Sequence, residues 1–258
     1  MGAGGSGYRE CEAEAFIIVV RLIKSSHERP ERCCVMCMNK QYASIDQLPS
    51  ILRVFPLSGA LLLPRGDLPL NIFEPRYLAM VDNTIASDRL IGIIQPLPGT
   101  GVTNLHQVGC AGRLTHFSET GDGRYLITLT GVCRFKVVAE QAGGSPYRSF
   151  NVAYEDFIHD LEPGAGEDAV DRERMTDMLR KFAQSSKLEV DWASIDAAPT
   201  ETLVNALAMM CPFGSQEKQS LLEAIDLKTR AETLIGLAQF DLAQGDYSPQ
   251  SNDRAQFH

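Results

Sequence analysis

The sequence predicts an α+β protein: a small, closed or nearly closed β-barrel with one helix packed against it, followed by an all-helical region. Three observations carry the prediction. Short β-prone runs separated by turn residues fill residues 52–158. One helical pattern interrupts them after Glu74-Pro75. Beyond Glu162-Pro163-Gly164-Ala165-Gly166-Glu167 the apolar period changes from two to 3.6.

The elements follow in order. Leu52-Arg53-Val54-Phe55-Pro56-Leu57 reads as a strand that stops at Pro56 or Leu57. Ala60-Leu61-Leu62-Leu63-Pro64 is a short apolar run, closed by the turn Arg65-Gly66-Asp67. Pro69 confines the next run, residues 68–73, to a sheet edge or an irregular strand. Pro75 is preorganised for a first helical turn, and Tyr77, Leu78, Val81 and Ile85 give that helix an apolar face. Residues 89–95 hold a continuous apolar strand, as expected of burial on both faces. Thr120-Gly121-Asp122-Gly123 joins residues 113–119 and 124–130 as a hairpin. In its second strand Tyr125, Ile127 and Leu129 share a face. Further on, Cys133, Phe135 and Val137 lie opposite Arg134 and Lys136. Residues 150–158 read as a last strand.

The helical region carries stripes of Met175, Met178, Leu179 and Phe182, then Leu203, Leu207 and Met210, ended by Pro212. Ser215 is expected to cap a helix with Leu221, Leu222 and Ile225. Asp226 is expected to cap a longer one with Ala231, Leu234, Ala238 and Leu242, stopped by Gly245. The resulting division is a barrel over 48–160, a linker over 161–166, helices over 167–245 and a mobile tail over 246–258.

Composition excludes several classes. With 258 residues, 44% hydrophobic and 22% charged, the chain has apolar surface enough to fold, and it is neither collagen-like nor a coiled coil. Its longest apolar runs, residues 15–20 and 206–211, fall far short of a membrane span. The net charge of −9 sits wholly in residues 160–258, and residues 1–159 are neutral. That balance gives no general attraction to nucleic acid, so RNA binding through the barrel is only a second alternative. Cys110, Cys133 and Cys211 stand singly among small or apolar neighbours and read as buried thiols of a reducing cytoplasm.

The first 37 residues do not resemble the rest. Their opening is glycine-rich, and the apolar run of 15–20 follows Glu10, Glu12 and Glu14, which a secretory signal would not tolerate. Cys34 and Cys37 form one C-x-x-C pair, Cys33 stands beside it, and no second ligand pair follows. The expectation is that translation starts at Met38 or Met36, or that residues 1–37 are a disordered leader.

The run from Val54-Phe55-Pro56-Leu57 through Leu61-Leu62-Leu63-Pro64 to Phe73-Glu74-Pro75-Arg76-Tyr77 resembles the opening of the Lon protease N-terminal domain. Gly92-Ile93, Gly109-Cys110-Ala111-Gly112 and the run from Leu129 to Phe135 are similar to later landmarks of that family. The resemblance extends over residues 48–245 and also covers stand-alone bacterial proteins. It implies a PUA-like β pseudobarrel followed by a C-terminal α-helical subdomain. It also implies a substrate-binding, non-catalytic role toward polypeptide segments or a protein partner in protein quality control. The ATPase and Ser-Lys peptidase modules that follow this domain in Lon proteases have no counterpart here. The sequence contains no G-x-x-x-x-G-K-[ST] loop, and Ser185-Ser186-Lys187 only places a Ser near a Lys.

No other chemistry is expected, and no cofactor or metal. His27, His106, His116, His159 and His258 show no ligand spacing. Glu155 and Asp156, read in a strand, would point to opposite faces. Glu74 suits a helix N-terminus, and Arg76 is expected to tie the helix to a neighbouring loop. Phe55, Pro56, Leu57, Phe73, Glu74, Pro75, Arg76 and Tyr77 are thus read as mainly structural. Leu61, Leu62, Leu63, Leu97 and Pro98 are the candidate peptide-binding surface, alongside an open strand edge. An adaptor or self-associating role is the first alternative.

Overall fold

The computed structural model describes residues 42–185 and 191–245. The expectations for residues 1–37, with Cys33, Cys34 and Cys37, and for the tail lie outside the described residues.

Six strands build the first part: β1 (Ile51–Pro56), β2 (Asp67–Ile72), β3 (Leu90–Pro96), β4 (Leu105–Glu119), β5 (Tyr125–Glu140) and β6 (Arg148–Ala153). The sheet order is β2-β5-β4-β3-β1-β6, and β6 also pairs with β5. That second pairing closes β5, β4, β3, β1 and β6 into a barrel and leaves β2 at an edge. Pro69 is tolerated there because an edge strand can do without one N–H. All pairings are antiparallel except β1 with β3, where Val54 lies beside Gly92 and Phe55 beside Ile93. Helix α1 (Pro75–Ile85) lies in the crossover between these two parallel strands. It buries Tyr77, Met80, Val81 and Thr84, so its inward stripe is rotated from the expected one, and Leu78 and Ile85 are only half-buried.

β3 shows how one strand serves two cores. Leu90 and Ile94 point into the barrel with Leu52, Val54, Phe135 and Phe150. Ile91 and Ile93 point the other way, into a core shared with α1 and the C-terminal helices. Those helices are α2 (Arg172–Ser185), α3 (Trp192–Ala197), α4 (Thr200–Met210), α5 (Ser215–Glu223) and α6 (Leu227–Gly245). Met175, Leu179, Leu203, Leu207 and Leu234 fill the core that they share with the sheet. The architecture is therefore a mixed six-stranded, barrel-like β unit followed by a helical subdomain.

Several local expectations need correction. The last strand ends at Ala153, and residues Glu155–Leu161 form a 3-10 turn. Tyr154 is pinned there by its hydroxyl, which donates to the Pro49 carbonyl at 3.0 Å, and Phe157 turns inward. Ser215 is the first residue of α5 and Gly214 its cap. Asp226 does cap α6, accepting from the Thr229 N–H at 2.7 Å.

A polar seam joins the barrel to the helices. Arg134 is 3% exposed because its face of β5 lies under the helical subdomain. Its guanidinium meets Asp160 in two bonds of 2.8 Å and also donates to the carbonyls of Leu222 and Ala224. Arg65 sits in the left-handed region (φ 64°) opposite Gly131, with Arg65 N donating to Gly131 O and Gly131 N donating to Gly66 O, both at 2.8 Å. This is a β-bulge of the kind that normally places glycine at the strained position. The strain costs about 1 kcal/mol or more. It is offset by the reach it gives the side chain, which pairs with Glu201 and donates to the Asp160 carbonyl at 2.7 Å. Gly131 has no room for a side chain, since a Cβ would collide with the Leu63 carbonyl.

Candidate functional site

At one end of the seam the barrel and the helices separate into a groove of about 440 Å³. Pro96, Leu97 and Pro98, where β3 runs out, form its barrel wall; Ser215, Gln216 and Glu217, the first turn of α5, form its helical wall; Ser58 also lines it. Pro96 is the last paired residue of β3, opposite Leu105 across a register shift, and Pro98 lies beyond the strand. The loop that follows is nonetheless fixed. Leu97 N donates to the Asn104 carbonyl at 2.9 Å, and Thr100 Oγ1 donates to the Leu97 carbonyl at 2.8 Å. Arg148, paired with Glu140 at 2.7 Å, donates to the carbonyls of Val102 and Thr103. Gly99 and Gly101 supply the positive φ that this tight path needs.

Two polar side chains, one buried and one half-buried, tie the walls together. Gln95 is almost fully buried. Its Oε1 accepts from Gly59 N at 3.2 Å, and its Nε2 donates to the Ser215 carbonyl at 3.1 Å and to Gln219 Oε1 at 3.2 Å. Lys218 Nζ donates to the Gly59 carbonyl at 2.8 Å, and burial holds its ammonium below the usual lysine range. Both residues link the loop beside Ser58 to α5. Sequence reasoning missed them, because Gln95 ends an apolar run and Lys218 looks like one charge on an amphipathic helix. The one available signal was a lone polar residue at the end of a fully buried strand.

The other candidate surface residues do not belong here. Leu61, Leu62 and Leu63 are at most 2% exposed. They thread between sheet and helices, where Asn205 Nδ2 holds the Pro64 carbonyl at 3.1 Å, so they form core and offer no binding surface. Leu97 is 37% exposed, and Pro98 is also exposed.

The family-motif residues divide in the same way. Phe55 and Pro56 are buried and Leu57 is half-buried. Phe55 meets Tyr77 edge to face at 4.2 Å, and burial pushes the Tyr77 hydroxyl up. Phe73 is 62% exposed at the end of β2, and Pro75 is exposed beside it. Arg76 does not reach a neighbouring loop. It pairs with Glu74 at 2.7 Å and lies over the Tyr77 ring, because Glu74 is the nearer acceptor.

Burial pushes the thiols of Cys110, Cys133 and Cys211 up, the last to about 12, which suppresses the thiolate. Among the described residues no group of three or more His, Cys, Asp or Glu could hold a metal ion, and no helix is long and apolar enough to cross a membrane. A second cleft, of about 430 Å³, lies beside the end of α1; its Asp88 is paired with Arg53 at 3.2 Å.

Residues 51–239 match the substrate-binding domain of the ATP-dependent protease La (LON). A Lon protease of Anaeromyxobacter dehalogenans is 25% identical over 205 residues, which cover 74% of this chain and 23% of that protein. The peroxisomal Lon protease homolog 2 of Danio rerio is 26% identical over 218 residues, 74% of this chain and 25% of that protein. The chain thus spans about a quarter of the length of the curated relatives it matches. Among solved structures, the Lon N-terminal domain protein from Xanthomonas campestris aligns with a TM-score of 0.54 at 23% identity, over 73% of this chain and 98% of that one. The N-terminal domain of the Mycobacterium avium complex Lon protease aligns with a TM-score of 0.54 at 20% identity, with the same coverage. At these identities the likeness establishes the fold, a barrel-like β unit with a C-terminal helical subdomain. The extent of the match establishes the family: this chain belongs to the Lon substrate-binding domain family.

Proposed function

We propose that this chain is a non-catalytic module that binds polypeptide segments in cytoplasmic protein quality control, and that it holds them in the groove beside Leu97 and Pro98. The observation that carries the reading is an exposed Leu-Pro wall facing a helix N-terminus at the rim of the seam, in a family defined by substrate binding. Apolar side chains of an unfolded segment would lose water-exposed area against Leu97, at about 25 cal/mol per Å². Gln95 and Lys218 keep the groove open before anything binds, which lowers the ordering cost of association. The sequence without a phosphate-binding loop supports the non-catalytic part of the reading.

The test is fluorescence anisotropy of a labelled polypeptide that cannot refold, titrated with the full chain. Saturable binding, lost with the same polypeptide folded and weakened at least fivefold by Leu97→Ser, is the expected result. Absence of saturable binding overturns the reading and leaves an adaptor with a dedicated partner. Incubation with casein and ATP is expected to give no cleavage above a mock-purified control.

A further inference from the structure

We propose that the groove selects extended segments in which an apolar anchor is flanked by a basic residue, with Glu217 as the selecting group; this rests on the polypeptide-binding reading above. The groove walls are otherwise neutral, and Glu217 is the one ionisable residue among those that line it. Its half-buried carboxylate lies against Gly214 and, among the described residues, has no ion pair or hydrogen bond. The adjacent cation does not neutralise it, because the Lys218 ammonium is turned inward onto the Gly59 carbonyl. Arg148, at the base of the barrel-side loop, is already paired with Glu140.

The free N–H groups at the start of α5 offset part of the Glu217 charge. Partial burial, with a smaller contribution from the Glu217 charge, raises the carboxyl of Asp241 on α6 above its ordinary value. An unpaired carboxylate beside an apolar wall favours an incoming cation and penalises an incoming anion. A Lys or Arg next to the apolar anchor meets both demands, since its own methylene stem can lie along Leu97.

The experiment uses the full chain and three labelled peptides that share one unstructured apolar core and differ only in flanking Lys, Gln or Glu. At low salt the Lys-flanked peptide is expected to bind about three- to tenfold more tightly than the Glu-flanked one. Glu217→Gln is expected to collapse that difference, by weakening the Lys-flanked peptide and strengthening the Glu-flanked one. High salt is expected to shrink the difference in the wild-type chain. Equal affinity for all three peptides, or a preference that survives Glu217→Gln, overturns the inference and leaves the polypeptide-binding reading intact. Failure of every peptide to bind overturns both. Leu97→Ser provides the control for location: loss of all three affinities places the peptides in the groove, and no loss puts them elsewhere and sinks the assignment to Glu217.

Discussion

The two ends of the seam between barrel and helices are built from similar residues and reach opposite outcomes. At the sealed end, Arg134 and Asp160 are both nearly inaccessible, and every arm of the Arg134 guanidinium has an acceptor. At the open end, Gln95 and Lys218 also bridge the two parts, but prolines and a tight loop hold Leu97 and Pro98 away from α5. Burial with full pairing makes a joint. Bridging beneath a wall that cannot close makes a groove. The joint hangs from β5 and the groove opens at the end of β3, so one seam holds both a rigid contact and an open wall.

The largest effect is expected at the sealed end. Asp160→Ala strands Arg134 without its anion and is expected to cost about 3–5 kcal/mol, measured by urea unfolding. A loss under about 1 kcal/mol would mean that the joint is not what holds the halves together. Next, Gly131→Ala drives a methyl into the Leu63 carbonyl and is expected to cost about 1–3 kcal/mol in the same assay.

Asp226→Ala, away from both ends, is expected to cost about 1 kcal/mol by removing the α6 cap. Hydrogen bonds from Thr229 hold the Asp226 carboxyl below its ordinary value of 3.8. Its stabilisation is therefore fully present above that pH and is lost as pH falls through the lower folded value. Wild type and variant should converge in acid.

The smallest effect on stability is expected at the open end and in the exposed Glu74–Arg76 pair. Leu97→Ser and Arg76→Ala should each stay within about 0.5–1 kcal/mol of wild type by thermal unfolding. The comparison is sharpened if Leu97→Ser, nearly silent in stability, still weakens polypeptide binding.

Much of the fold was legible in the sequence because each β run was bounded by its own turn chemistry and each helix kept its period. The Thr120-Gly121-Asp122-Gly123 turn and Pro75 are cases where local preference and final structure agree. The strand expected to run to 158 failed where Phe157 and Tyr154 were claimed by burial and by the Pro49 carbonyl, which no local pattern records. Leu61, Leu62 and Leu63 were equally ambiguous: an apolar triplet looks the same whether it faces water or a second layer, and only the position of α4 decides. Gln95, Lys218 and Arg134 act through partners 26 to 159 residues away, beyond any local pattern.

Hydrogen exchange of the full chain, with and without a polypeptide that cannot refold, tests the central claim most directly. The expected result is slowed exchange confined to residues 96–104 and the first turn of α5, with the Arg134–Asp160 joint unchanged. Slowed exchange only along the open edge of β2, or none at a saturating concentration, would contradict it.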